Sequence, residues 1–265
     1  MDPPILSVTS AQLAAAMTAF FWPFVRILAL LATAPVIGDP VVPRQVKVAL
    51  SALLALVLAP GVAGAADVPL MSLPGAWVTA QQVLIGVAIG FTMRIVFTAV
   101  QAAGEYIGLQ MGLSFATFFD PASGGQTAVV ARFLYMLAAL IFLAVDGHLH
   151  LIALLAQSFD SVPVARNGLA GAGWMVVARA AQDIFTTGLM LALPVVTALL
   201  ILNLAMGILN RASPQFSIFA VGFPLTLLAG VAMLYLLVPQ LGAFLDVRFS
   251  SALDLVGRVA AALRP

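Results

Sequence analysis

Six apolar stretches, residues 13–34, 46–60, 77–100, 129–145, 184–209 and 216–238, follow one another with only short breaks between them. A bilayer's hydrocarbon core takes about 20 apolar residues in helical form, because backbone N–H and C=O groups that meet no water must be satisfied within the segment. The pattern therefore specifies an all-α integral membrane protein of about six hydrophobic helices or hairpins. A seventh run, residues 149–159, is too short to cross alone and fits a short re-entrant element or one buried in protein. Composition closes the alternative. Of 265 residues 63% are hydrophobic and 8% charged, with a mean hydropathy of +1.14, whereas a soluble domain needs charge on roughly a quarter of its positions. Such a chain cannot build the surface of a soluble enzyme.

The breaks hold turn formers at residues 35–43, 60–75, 120–125, 163–173 and 210–214. They are too short for a soluble domain, so residues 1–245 read as one polytopic membrane domain whose neighbouring spans pack antiparallel. The opening Met1-Asp2-Pro3-Pro4 lacks the basic region of a cleaved signal, and residues 13–36 run into Gly38-Asp39-Pro40, so the first run is expected to be a retained span. Residues 246–265 place Val247, Phe249, Leu253, Val256 and Val259 among charges at roughly helical spacing. They form an amphipathic tail suited either to a membrane interface or to a partner.

Charge sets few further limits. Net charge is +1, with no basic patch to suggest nucleic acid, and cysteine is absent, which removes disulfides and thiolate chemistry. Orientation by loop charge fails. With six spans, Arg44, Lys47, Arg94 and Arg211 collect on one side against Arg166, Arg179, Arg248, Arg258 and Arg264 on the other. Near balance is expected where hydrophobic hairpins are buried in a larger assembly.

Glycines fall at Gly86, Gly90, Gly104, Gly108 and Gly112. Eighteen residues make five helical turns, so on one continuous helix Gly86 and Gly104 share a face, as do Gly90 and Gly108. A stripe without side chains lets another helix approach closely, either within the chain or from another subunit. Arg94, Gln101, Glu105 and Gln110 occupy the same stretch, and charges in such segments normally face protein or a water-filled cavity. Arg94 and Glu105 would stand about 16 Å apart along the axis, too far to pair, so each needs another partner. A proton relay is the less common use of such residues.

Next comes an aromatic segment. Met111, Gly112, Leu113, Phe115, Phe118 and Phe119 lead into Asp120-Pro121 and the pair Gly124-Gly125. A non-helical loop at membrane depth must be buried in protein or line a cavity, and a bulky apolar constriction can close a pore by dewetting. The plainer alternative is a loop packed at the membrane surface.

No chemistry-bearing motif stands out. His148 and His150 are two residues apart, a spacing that does not share a helix face, and no further ligand accompanies them; a helix boundary with Asp146 as cap is the better reading. Gly124-Gly125-Gln126-Thr127 lacks a phosphate-loop lysine, and no Gly-x-Ser-x-Gly elbow occurs. No enzyme activity, metal or cofactor is expected.

Several local sequences together resemble a known family. They are Pro35-Val36-Ile37-Gly38 with Val42-Pro43, Gly104 through Gly112 followed by Asp120-Pro121, Asp146-Gly147-His148 with Ser158-Phe159, and Asn210-Arg211-Ala212-Ser213-Pro214-Gln215 leading into Ile218-Phe219-Ala220-Val221-Gly222-Phe223-Pro224. The last is the most specific. Over nearly its whole length the chain resembles the FliR family of flagellar export-gate membrane proteins, which includes the T component of virulence type III secretion. The resemblance implies a non-enzymatic gate subunit in the bacterial inner membrane at the flagellar basal body. It implies assembly with FliP- and FliQ-type subunits, contact with FlhB- and FlhA-type components, and passage of unfolded flagellar substrates. It also implies that residues 112–125 plug the pore, with Phe115, Phe118, Phe119 and Asp120 at the seal and the glycines giving freedom to move. The Gly- and Ala-rich residues 162–174 do not separate flagellar from virulence export. A secondary transporter of a small solute or ion, the reading from another class, should show repeated halves, and Pro23, Pro194 and Pro224 lie in unlike charge settings.

Overall fold

The computed structural model describes residues 9–62, 68–113, 129–165, 168–212 and 222–264. Among them run α1 (Ser10–Thr33), α2 (Arg44–Leu58), a 3-10 turn (Ala59–Gly61), α3 (Leu73–Gln110), α4 (Val129–Ala144), α5 (Gly147–Ser161), α6 (Gly171–Ala181), α7 (Asp183–Ala212) and α8 (Phe223–Ala262). The described residues are all-helical in their regular structure, and five helical stretches among them are long and apolar enough to cross a membrane. Helices α4 and α5, broken at Val145-Asp146, make a sixth if taken together.

Local chemistry sets the helix ends. Thr9 begins α1 with a reciprocal cap: its hydroxyl accepts from the Gln12 N–H at 3.3 Å, and the Gln12 side chain accepts from the Thr9 N–H at 3.0 Å. Pro35 ends α1 by driving Ala34 into extended backbone, φ −60° and ψ 149°. The turn that follows is tied to α2 by Lys47, whose Nζ donates to the carbonyls of Gly38 at 2.9 Å and Asp39 at 3.0 Å.

Two helices are longer than a bilayer is thick. At 1.5 Å per residue the 38 residues of α3 reach about 57 Å and the 40 of α8 about 60 Å, against a hydrocarbon core of about 30 Å. Even the largest ordinary tilt, about 40°, leaves each too deep for the core. Part of each helix therefore lies beyond the hydrocarbon.

The chain divides into two compact units. The first takes residues 1–94, 148–179 and 251–265; Trp22, Ile27, Leu30, Ile85, Ile89, Leu155, Val256 and Leu263 form its fully buried core. The second takes residues 95–147 and 180–250 and is centred on Phe97, Phe142 and Phe249, whose ring centroids lie 5.2–5.5 Å apart in edge-on and tilted pairs.

Three features depart from the sequence reading. Helix α6 begins inside what reads as a Gly- and Ala-rich connection, because Gly173 lets the Leu263 side chain lie directly on its backbone. The run at 216–238 and the tail at 246–265 share one helix from Phe223 onward, which continues through Pro239. The apolar face of that tail, Phe249, Ala252, Val256, Val259 and Leu263, is covered by the chain itself, leaving Asp254, Arg258 and Arg264 exposed.

Candidate assembly and gating site

Helix α3 is continuous through the glycine positions. A methyl group at Gly86 would run into the Arg26 carbonyl and come within 2.8 Å of Ala29 Cβ; one at Gly90 would strike the Thr33 hydroxyl and lie 2.9 Å from the Leu30 carbonyl. Both glycines therefore receive the backbone of α1. A methyl at Gly104 would overlap Ala131, so there α3 and α4 touch backbone to backbone. Gly108 is different, with ordinary contact distances of 3.9 Å to Leu113 and 4.0 Å to Val130. The first three glycines are thus occupied inside the chain.

Polar residues on α3 point elsewhere. Arg94, Gln101 and Glu105 are all exposed, and Gln101 and Glu105 lie one turn apart on one face. By contrast Gln81, Gln82 and Thr92 are buried.

At its C-terminus α3 stops through a glycine cap. Gly112 takes φ 80°, its N–H donates to the Leu109 carbonyl at 3.1 Å, and the Leu113 N–H reaches back to the Gly108 carbonyl at 3.1 Å. These paired bonds form a Schellman motif, which needs a residue without Cβ at that position. Met111, 2% exposed, fits against Gly230 of α8, where a methyl would come within 2.7 Å of its sulfur. The Thr226 hydroxyl also faces the Met111 carbonyl at 3.4 Å. The first three residues of the expected plug, Met111, Gly112 and Leu113, therefore leave the helix along a fixed path. Phe115, Phe118, Phe119, Asp120 and Pro121 lie outside the described residues.

The signature loop is divided in the same way. Asn210 and Arg211 close α7, where the exposed Arg211 suits the negative end of the helix dipole, while Pro214 and Gln215 lie outside the described residues.

Sequence reasoning passed over Arg26. It is fully buried in α1, and its fork reaches three residues of the first unit, one on α3 and two at the end of α5. Nε donates to the Gln82 Oε1 at 2.8 Å; Nη1 donates to the Ser158 carbonyl at 2.9 Å and hydroxyl at 3.1 Å; Nη2 donates to the Val162 carbonyl at 2.8 Å. The guanidinium also sits 4.1 Å above the Phe159 ring. The signal was present: a charge inside an apolar run of spanning length must find protein partners. Ser158 and Phe159, already part of the family pattern, are two of them.

Comparison with known proteins gives the family. The family described as bacterial export proteins, family 1, matches residues 17–252. The flagellar biosynthetic protein FliR of Pectobacterium carotovorum subsp. carotovorum is 50% identical over 240 residues, covering 91% of this chain and 92% of that protein. That of Escherichia coli K12 is 46% identical over 255 residues, covering 96% and 97%. That of Buchnera aphidicola subsp. Acyrthosiphon pisum is 39% identical over 241 residues, covering 91% and 93%. With this coverage on both sides, the chain belongs to the FliR family of bacterial export proteins.

Proposed function

We propose that this protein is a structural subunit of the flagellar protein export apparatus, working as part of the gate in the inner membrane rather than as an enzyme. The observation that carries the reading is the extent of likeness to proteins named for flagellar biosynthesis, which also favours the flagellar over the virulence system. FliP- and FliQ-type subunits would surround it, FlhB- and FlhA-type components would lie beside it, and unfolded substrates would pass through the shared channel.

The physical features support such a part. Long apolar helices with little of their surface covered by the chain itself need lipid or neighbouring subunits, and α8 has only 17% of its most apolar window buried. The glycine cap and the Met111 contact give the segment that follows a rigid root. Residues 112–125 would then act as the plug, with Phe115, Phe118 and Phe119 excluding water and ions at the narrowest point. Deleting residues 113–119 is expected to let small ions leak across the membrane of cells that still assemble the complex. Unchanged conductance in such cells would remove the plug from the account.

A further inference from the structure

A buried guanidinium ordinarily sits beside a carboxylate, yet each of the four acceptors around Arg26 is neutral. Two of them, the Ser158 and Val162 carbonyls, belong to the end of α5, which stops at Ser161. The last carbonyls of a helix have no partner within it and carry the negative end of its dipole. The Ser158 carbonyl already accepts the Val162 N–H at 2.9 Å, and Arg26, reaching from a helix 132 residues earlier in the chain, adds a second donor there, a donor to the Val162 carbonyl, and positive charge at the negative end of the dipole.

The other side of the same connection is also fastened. The Ala170 N–H donates to the Leu263 carbonyl at 3.2 Å, and the Leu263 side chain, fully buried, lies on Gly173. Residues 158–162 are therefore held by α1, and residues 170–173 by the last turn of the chain.

We propose that Arg26 is a positioning residue: it caps α5 from another helix and thereby fixes where α5 stops and the connection to α6 begins, and Leu263 completes the clamp. Charge and fork geometry are both required. Lysine carries the charge but cannot span Gln82, Ser158 and Val162 at once, and methionine fills the space while removing the charge and the Val162 carbonyl's Arg26 donor, and leaving the Ser158 carbonyl only its bond from the Val162 N–H. In this reading the Gln82 and Ser158 side chains are secondary, because removing them does not replace the charge and donors that Arg26 brings to the end of α5.

Arg166 offers a built-in probe, since it supplies the only Lys or Arg between Arg132 and Arg179. The test is the rate of trypsin cleavage after Arg166 in the full chain in mild detergent, measured relative to cleavage after Arg211. Arg26→Met should raise that ratio roughly tenfold or more, as expected for an uncapped, unsatisfied helix end. Arg26→Lys should fall between it and the unaltered protein, and Leu263→Ala should raise the ratio by a smaller factor. Adding Gln82→Leu and Ser158→Ala to Arg26→Met should not bring the ratio back. If Arg26→Met fails to accumulate, Arg26→Lys alone decides. A ratio like that of the unaltered protein for Arg26→Met or Arg26→Lys, or its restoration in the triple variant, would overturn the proposal. The readout is independent of partner subunits, so it stands or falls separately from the gate reading.

Discussion

Helices α3 and α8 are close in length and both strongly apolar, yet the chain covers them very differently: 67% of the most apolar window of α3 is buried, against 17% for α8. Small residues account for the contrast. Gly86, Gly90 and Gly104, with Ala88, Ala99 and Ala103 beside them, let α1 and α4 approach the α3 backbone. In a setting where lipid is as apolar as leucine, close approach rather than hydrophobicity brings helices together. Gly242 in α8 and Gly207 in α7 have nothing within 4 Å of where a methyl would stand. Apolarity thus says that a helix belongs with membrane or protein; the local fit of its small residues says whether its own chain has already filled that place.

Packing on α3 is the more sensitive of the two. Gly104→Leu has the largest expected effect, about 3 kcal/mol or more, because the new side chain meets the Ala131 backbone and neither helix can yield locally. Loss of the monodisperse peak in detergent size-exclusion chromatography would report it. Gly90→Ala should cost about 1–3 kcal/mol, less than leucine at Gly104, since the Thr33 side chain can rotate although the Leu30 carbonyl cannot move away. A lowered melting temperature of the purified chain checks this.

On α8 and α7 the direction should reverse. Gly242→Leu and Gly207→Leu are expected to raise the stability of the isolated chain by about 1 kcal/mol or less, the gain in helix propensity, having no neighbour to strike. If partner subunits cover these faces, the same variants should reduce the amount of partner recovered with the chain. Smallest of all is Gly108→Ala, where ordinary contact distances leave room and the gain in helix propensity, in the last turn of α3, falls below the roughly 1 kcal/mol of a helix interior. A slightly raised melting temperature is the expected result, and a large fall would show that the space at Gly108 is already taken.

Much of this architecture could be read from residue order. Apolar run lengths gave the helical membrane class, and the breaks at Pro35, Pro43 and Pro60 stand at or beside helix ends. The glycine spacing pointed to close approach, but periodicity shows only that a face is bare. That Gly86 meets α1 and Gly104 meets α4, while Gly108 has room, depends on tertiary contacts no spacing encodes. Helix α6 was hidden because Gly171 and Gly173 look like linker residues until Leu263, ninety residues after Gly173, is seen to pack on Gly173. The amphipathic tail looked separate because Asp246 and Arg248 interrupt the apolar run, yet a helix can carry on past charges when its other face is covered. Arg26 was legible as a charge in the wrong place; its partners, from Gln82 to Val162, were not.

The central claim is that the surface left bare on α7 and α8 belongs to an assembly. Purifying the protein from its native membrane in mild detergent and identifying what accompanies it tests this most directly. The account predicts FliP- and FliQ-type subunits in fixed ratio to the chain. Recovery of the chain alone, stable and able to move a small solute across a bilayer unaided, would contradict it.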